Sequence, residues 1–149
     1  MRRKWTHFLL IFGLGLFLDQ VTKHWALKNL QERSIPLWMG VLELRLRHNV
    51  GSAFGLVILS RWGIFSITIG LSIALLIWVV RDRKVSPFFL AGVSLFLAGA
   101  WGNLLDRLRW GYVVDFIEPS FWATFNLGDV FILGGVLLLF RQLLVHRKA

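Results

Sequence analysis

Two uninterrupted apolar stretches decide the fold: residues 62–80 read WGIFSITIGLSIALLIWVV, and residues 86–105 read SPFFLAGVSLFLAGAWGNLL. Neither stretch contains a charged side chain. Because a helix needs about 20 such residues to cross the hydrocarbon core of a bilayer, each stretch predicts a membrane-spanning helix. Residues 122–140 are equally apolar except for one acid, Asp129, and predict another span.

The composition agrees with a membrane protein. Of the 149 residues, 56% are hydrophobic and 17% are charged, whereas about a quarter of the residues in an average soluble domain are charged. The chain contains no cysteine, which excludes a disulfide framework, a thiolate metal site and a cysteine nucleophile. Its four histidines are scattered without ligand spacing, so we expect neither a metal nor a cofactor.

The first predicted span, residues 5–27, needs a separate argument. Its purely apolar part, residues 8–18, covers only about half a bilayer as a helix, so the helix must continue through Asp19 and Lys23. A basic start before a short apolar run also resembles a secretory signal peptide. No small-x-small cleavage site follows residue 18, and the next residues continue in helical register. We therefore expect a span rather than a cleaved leader.

The distribution of charge predicts the orientation of these four spans. An even number of spans places both termini and the loop at residues 81–84 on one side, which carries a charge balance of +8 against +1 on the other. The positive-inside rule makes that side cytoplasmic. The net charge of +9 then reflects topology and anionic membrane lipid rather than nucleic acid, so lipid is an expected partner and nucleic acid is not.

In the connection at residues 31–61, the spacing of the hydrophobic residues changes. Leu42, Leu44 and Leu46 alternate with charged residues, which is the two-residue repeat of a half-exposed strand. The predicted fold is an all-α membrane protein with four transmembrane helices and a small extracytoplasmic β element. We expect a single domain over residues 1–149, with spans at approximately 5–27, 62–80, 86–105 and 122–140.

Polar groups inside the predicted spans are the candidates for function, because a carboxylate in hydrocarbon must be paired, protonated or hydrated. Asp129 is one such acid, and Asn126 precedes it by three residues, on nearly the same helical face. The alternative is a buried acid that a neighbouring helix satisfies. Asn103, Asp106 and Arg107 form another polar group, which could hold a peptide backbone or could simply cap a helix end.

Asp115 lies in an apolar setting, fourteen residues before Asp129, with the helix breaker Pro119 between them. Only tertiary folding can bring the two acids together. If they meet, they share one proton, so that one acts as a base and the other as an acid, as in aspartic proteases. A proton-coupled transporter would also place acids within spans, and it is the alternative function. A transporter needs access from both sides, whereas these acids cluster towards the outer half.

Five segments stand out along the chain, in this order: DQVTK at 19–23, NVGSAF at 49–54, GNLLDR at 102–107, GYVVDF at 111–116 and FNLGD at 125–129. Taken in order, they resemble the signature blocks of the bacterial lipoprotein signal peptidases, also called type II signal peptidases. The resemblance implies an intramembrane aspartyl protease of the bacterial cytoplasmic membrane, with its active site towards the outer leaflet. It also implies that the substrates are prolipoproteins, cleaved just before a diacylglyceryl-modified cysteine, and that the catalytic dyad falls on Asp115 and Asp129.

The same resemblance suggests roles for the remaining polar positions. Asn49 and Gly51 belong to the block associated with substrate contact, while Asn103, Arg107 and Asn126 resemble groups that hold the substrate and the dyad. We expect structural roles for Asp19, Lys23 and Asp106, the first two as an ion pair at a helix end. Ser52 and Gly128 stand where the family usually has alanine, and we expect Gly128 to loosen its helical turn. We expect the protein to act as a monomer.

Overall fold

The computed structural model describes residues 2–38, 40–50, 52–53, 56–57, 61–81 and 85–146. This described part contains four helices and five strands. The helices are α1 (Arg2–Asn29), α2 (Arg61–Arg81), α3 (Pro87–Trp110) and α4 (Leu127–His146). The strands are β1 (Ile35–Trp38), β2 (Leu42–Asn49), β3 (Ser52–Ala53), β4 (Leu56–Val57) and β5 (Val113–Pro119).

The predicted mainly helical architecture with a small sheet is confirmed. Three helical segments within the described residues are long and apolar enough to cross a membrane, at Arg3–Asn29, Trp62–Arg81 and Pro87–Trp110. They correspond to the first three predicted spans. The crossing of the membrane by α4 stays a prediction.

The predicted β element is an antiparallel sheet of order β1-β2-β5, beside a short β3-β4 pair. Strand β2 is central, and its ends are matched with Pro119 and Val113 of β5. Ala26 and Leu30 at the end of α1 form a buried cluster with Phe116, against which Leu44 and Leu46 pack. The alternating leucines therefore attach the sheet to the end of α1, and β5 brings the α3–α4 connection into the same sheet.

Helix α3 is the centre of the bundle and approaches α4 along a seam of glycines. Gly92 and Gly99 on α3 are seven residues apart, as are Gly128 and Gly135 on α4, so each pair lies on one helical face. A Cβ atom at Gly99 would overlap the carbonyl oxygen of Gly128, and one at Gly135 would lie 2.7 Å from that of Gly92. The seam allows the two backbones to touch, as small residues do in membrane helix pairs.

The structure corrects three predicted helix boundaries. Helix α1 continues to Asn29, so the ion pair expected at a helix end lies inside the helix. Helix α3 continues past residue 105 to Trp110, because the chain turns only at Gly111, which has a φ of 83° and donates its N–H to the carbonyl of Arg107. Left-handed glycine is a common end of a helix.

The third correction concerns α4, which begins at Leu127 rather than at residue 122. Phe125 is held in a β bridge to Ile117, so the chain is still attached to the sheet two residues before the helix begins. Asn126 precedes the helix and does not lie on its face. Asp129 therefore occupies the first turn of α4.

The glycine seam generates a stability prediction. Gly99→Ala should lower the free energy of unfolding by about 1–3 kcal/mol, because the added methyl group forces α3 and α4 apart. The measurement is thermal unfolding in detergent. Gly134→Ala is the matched control, since a Cβ there meets nothing within 4 Å. Equal unfolding temperatures for the two variants would contradict the close approach.

Candidate active site

Asp115 is buried in β5 and receives two side-chain amide hydrogen bonds. Asn49, at the end of β2, donates from Nδ2 to Oδ2 of Asp115 at 2.9 Å, and Asn126 donates from Nδ2 to Oδ1 at 2.6 Å. Val114 and Phe116 on either side are buried. Strand pairing therefore places this acid in an apolar environment with two amide donors.

Asp129 is held at the start of α4 by a reciprocal cap. The backbone N–H of Asn126 donates to Oδ2 of Asp129 at 3.1 Å, and the backbone N–H of Asp129 donates to Oδ1 of Asn126 at 3.0 Å. This is the pattern of a capping box. Asn103 on α3 donates from Nδ2 to Oδ1 of Asp129 at 2.8 Å. The helix N-terminus adds a partial positive charge next to this side chain.

Asn126 therefore bonds to both acids, which the fold brings to one place from β5 and α4. The orientation of its side-chain amide is determined: the backbone N–H of Asp129 can only donate, so Oδ1 must face it. Nδ2 then points to Asp115. Sequence spacing suggested that Asn126 and Asp129 share a helical face, whereas the structure makes Asn126 the cap that links the two acids.

Burial raises the pKa of the Asp115 carboxyl to about 6. The hydrogen bond from Asn49 opposes this rise in pKa, and the nearby charge of Asp129 adds to it. A carboxyl group with such a pKa holds a proton over part of the range near neutrality, when an ordinary aspartate is ionised. The environments of the two acids thus differ, because burial favours the proton on Asp115, whereas Asp129 lies at the N-terminus of a helix.

A buried ionic cluster lies next to this pair and consists of Lys23, Asp19 and Asp106. Nζ of Lys23 is 2.9 Å from Oδ2 of Asp19 and 2.9 Å from Oδ2 of Asp106, and all three side chains are at most 3% exposed. Nζ also donates to Oδ1 of Asn103 at 2.7 Å. A lysine ammonium has three donors, so every one of them has an acceptor.

The carboxylates of the ionic cluster also hold the backbone. Oδ1 of Asp19 accepts the N–H of Gly128 at 2.7 Å, and Oδ2 of Asp106 accepts the N–H of Val114 at 3.1 Å. A Cβ at Gly128 would lie 2.8 Å from Oδ1 of Asp19. The turn that we expected Gly128 to loosen is therefore closely packed and bonded.

Gln20 completes the cluster and was not among the residues singled out from the sequence. Its Nε2 donates to Oδ1 of Asp106 at 3.1 Å and to Oδ2 of Asp19 at 3.2 Å, and its Oε1 accepts from Arg109 at 2.8 Å. The available signal was a polar residue beside Asp19 in an apolar helix. Its partners on α3 could not be read from that signal.

Two predicted site residues remain, Arg107 and Gly51. Arg107 is half-buried and donates to the carbonyl oxygen of Asn103 at 3.3 Å. Its guanidinium also interacts electrostatically with Asp129, Asp115 and Asp106. Gly51 lies outside the described residues. Among the described residues, histidine, aspartate and glutamate form no group of three that could hold a metal ion.

Comparisons with known proteins identify the family of the chain. The family model described as "Signal peptidase (SPase) II" matches residues 11–145. A lipoprotein signal peptidase of Moorella thermoacetica is 39% identical over 142 residues, covering 93% of each chain. Another from Syntrophomonas wolfei is 39% identical over 148 residues, covering 98% of this chain and 96% of the relative.

Solved structures show the same fold. A bacterial membrane enzyme determined by the in meso method at 2.3 Å resolution superposes with a TM-score of 0.85 at 32% identity, covering 92% of this chain and 87% of that one. A similar structure at 1.9 Å resolution gives a TM-score of 0.83 at 32% identity, with 92% of each chain covered. The chain therefore belongs to the signal peptidase II family of bacterial membrane proteases.

Proposed function

We propose that this protein is an aspartic endopeptidase that removes the signal peptide from diacylglyceryl-modified prolipoproteins. Cleavage occurs on the N-terminal side of the lipidated cysteine, and Asp115 and Asp129 form the catalytic dyad. One observation carries the proposal: two acids from separate elements bond to the same residue, Asn126, at one end of an apolar helical bundle. The lipoprotein signal peptidases among the relatives support the choice of substrate.

In the proposed mechanism, the two acids share one proton, and one acts as a base while the other acts as an acid. Ionised Asp129 takes a proton from a water molecule, and the resulting oxygen nucleophile attacks the carbonyl carbon of the scissile peptide bond. Protonated Asp115 hydrogen-bonds to the carbonyl oxygen. As the tetrahedral intermediate collapses, the C–N bond breaks and Asp129 passes the proton that it took from water to the leaving nitrogen. Asp115 keeps its proton, so the dyad returns to its starting state. The supporting observation is the difference between the environments of the two acids.

The supporting residues divide into two groups. Asn49, Asn103 and Asn126 donate hydrogen bonds to the acids, so we assign them to the support of the dyad. Arg107 is half-buried and carries a permanent charge, which suits contact with the substrate backbone or the lipid-proximal part of the peptide. Gly51 keeps its proposed role in substrate contact on the strength of the sequence block alone.

We further propose that the protein spans the bacterial cytoplasmic membrane four times as a monomer, with both termini in the cytoplasm and the dyad near the outer leaflet. The candidate site is assembled within one chain, which supports the monomer. Trp38, Trp110 and Trp122 are exposed near the sheet and the dyad-bearing ends of the helices, and tryptophan favours the membrane interface. A lipid anchor on the substrate cysteine would hold the scissile bond at this depth.

Conversion of either dyad acid to its amide tests the proposal. Asp115→Asn and Asp129→Asn should each lower the rate of cleavage of a lipid-modified prolipoprotein by about a thousandfold or more, because the dyad then lacks a group that transfers a proton. The measurement is the rate of release of the signal peptide by purified protein in detergent or liposomes.

Glu118→Gln supplies the matched control. Glu118 is an acid of the same strand, but it pairs with Arg47 and Arg45, whose side chains are exposed. This variant should retain activity within about twofold. Wild-type activity in either Asp115→Asn or Asp129→Asn would refute the dyad, and proton flux across liposomes without cleavage would favour a transporter.

The pH dependence gives a separate test. Because burial raises the pKa of Asp115 to about 6, the dyad should hold its shared proton below that pH and lose it above. We expect kcat/KM, which reports the free enzyme, to fall as the pH rises through about 6. The rate should be measured between about pH 5 and pH 8 with folding monitored at each pH. A constant kcat/KM over that range would contradict the assignment of Asp115 as the acid.

A further inference from the structure

A chain of two hydrogen bonds connects the ionic cluster to the dyad. Nζ of Lys23 donates to Oδ1 of Asn103 at 2.7 Å, and Nδ2 of Asn103 donates to Oδ1 of Asp129 at 2.8 Å. We propose that Lys23 is a positioning residue for the dyad, which holds the Asn103 amide in the orientation that donates to Asp129. This inference rests on the proposed function.

The chemistry of the ammonium and the amide fixes which atoms donate and which accept in these two hydrogen bonds. An ammonium group only donates hydrogen bonds, so the atom of Asn103 that faces it must be the oxygen. Asn126 also donates to that oxygen, at 3.2 Å. If the amide were flipped, its NH2 group would face the ammonium and its oxygen would face the carboxylate of Asp129. Both contacts would be repulsive, so Lys23 selects one of the two orientations.

Lys23 can select an orientation because its own position is fixed. Asp19 and Asp106 each accept a hydrogen bond from Nζ at 2.9 Å, and the ammonium has no donor left over. Hydrogen bonds between ionised groups are shorter and stronger than those between neutral ones. The ammonium is therefore held from α1 and α3.

The same two carboxylates hold the backbone next to each dyad acid. Asp19 binds the N–H of Gly128, which immediately precedes Asp129. Asp106 binds the N–H of Val114, which immediately precedes Asp115. By holding both carboxylates, Lys23 couples the two backbone segments that carry the dyad. A displaced ammonium would change the separation of the acids as well as the orientation of Asn103.

The charge of the cluster matters for the design of the test. One cation and two anions give a net charge of −1, so Lys23→Met alone would leave two uncompensated buried carboxylates and risk misfolding. The double substitution Lys23→Met with Asp19→Asn keeps the net charge at −1. The side-chain oxygen of an asparagine at position 19 can still accept the N–H of Gly128.

We expect this double variant to lower kcat by about a hundredfold, the loss that a displacement of about 1 Å can cause, while KM changes by less than about threefold. The pH–kcat profile should also shift, because the dyad loses an oriented hydrogen-bond donor. Lys4→Met is the matched control. It removes a lysine from the same helix, about 28 Å away, where Nζ donates to the carbonyl of Val79, and it should leave kcat and the pH profile unchanged.

The variant Asn103→Asp decides the question if the double variant does not fold. It keeps an acceptor for Lys23 but presents an oxygen instead of an NH2 group to Asp129. We expect the same fall in kcat and a shift of the pH–kcat profile.

A lowered unfolding temperature with a wild-type kcat and pH profile in the variants would reduce Lys23 to a structural residue and overturn the inference. If Asp115→Asn or Asp129→Asn retained cleavage, the proposed function would fail and this inference with it. Inactive dyad variants beside an unaffected Lys23→Met/Asp19→Asn or Asn103→Asp enzyme would overturn this inference alone.

Discussion

A buried ammonium group is the constraint on which the rest of the structure depends. Lys23 cannot remain charged inside an apolar bundle unless all three of its donors meet acceptors. One acceptor lies on α1 itself, and two lie on α3, namely Asp106 and Asn103. The requirement therefore fixes the register of α1 against α3. Because Asp19 and Asp106 also accept backbone N–H groups of Gly128 and Val114, the constraint extends to α4 and β5. Both elements that carry the proposed dyad are therefore held through one cation.

Close packing of backbones makes this register possible. The ionic cluster can bond to the first turn of α4 only because α3 and α4 touch along the glycine seam. Gly102 plays the same part between α3 and α1, since a Cβ there would overlap the carboxylate of Asp19. In a lipid environment, where apolar side chains gain little by meeting each other, such close contacts and interhelical hydrogen bonds provide the driving force for association. Interhelical hydrogen bonds and the close backbone contacts at glycines thus act together in this bundle.

The sequence predicted those features that depend on local pattern. The charge-free stretches marked α2 and most of α3, and the alternating leucines marked β2. The start of α4 was misplaced because it depends on the bridge between Phe125 and Ile117, which joins segments that no helical or strand period connects. For the site, the sequence predicted Asp115 and Asp129 as the dyad but left their meeting conditional, since Pro119 separates them. Gln20 was missed because its importance lies in partners on another helix.

The cost of a buried ion pair raises the question of why the bundle contains one near its candidate site. Apolar residues of similar volume often stabilise a protein as well as a buried ion pair does, and they would avoid the desolvation of three charges. They could not, however, distinguish the oxygen of Asn103 from its nitrogen, nor hold the N–H groups before both acids. A hydrophobic core constrains the volume of the side chains that fill it. An ammonium with three acceptors also constrains the directions of the hydrogen bonds around it. Proton transfer by a pair of carboxyl groups depends on the direction of the hydrogen bonds around them. We therefore infer that the bundle retains the ionic cluster for the geometry that it imposes on the proposed dyad.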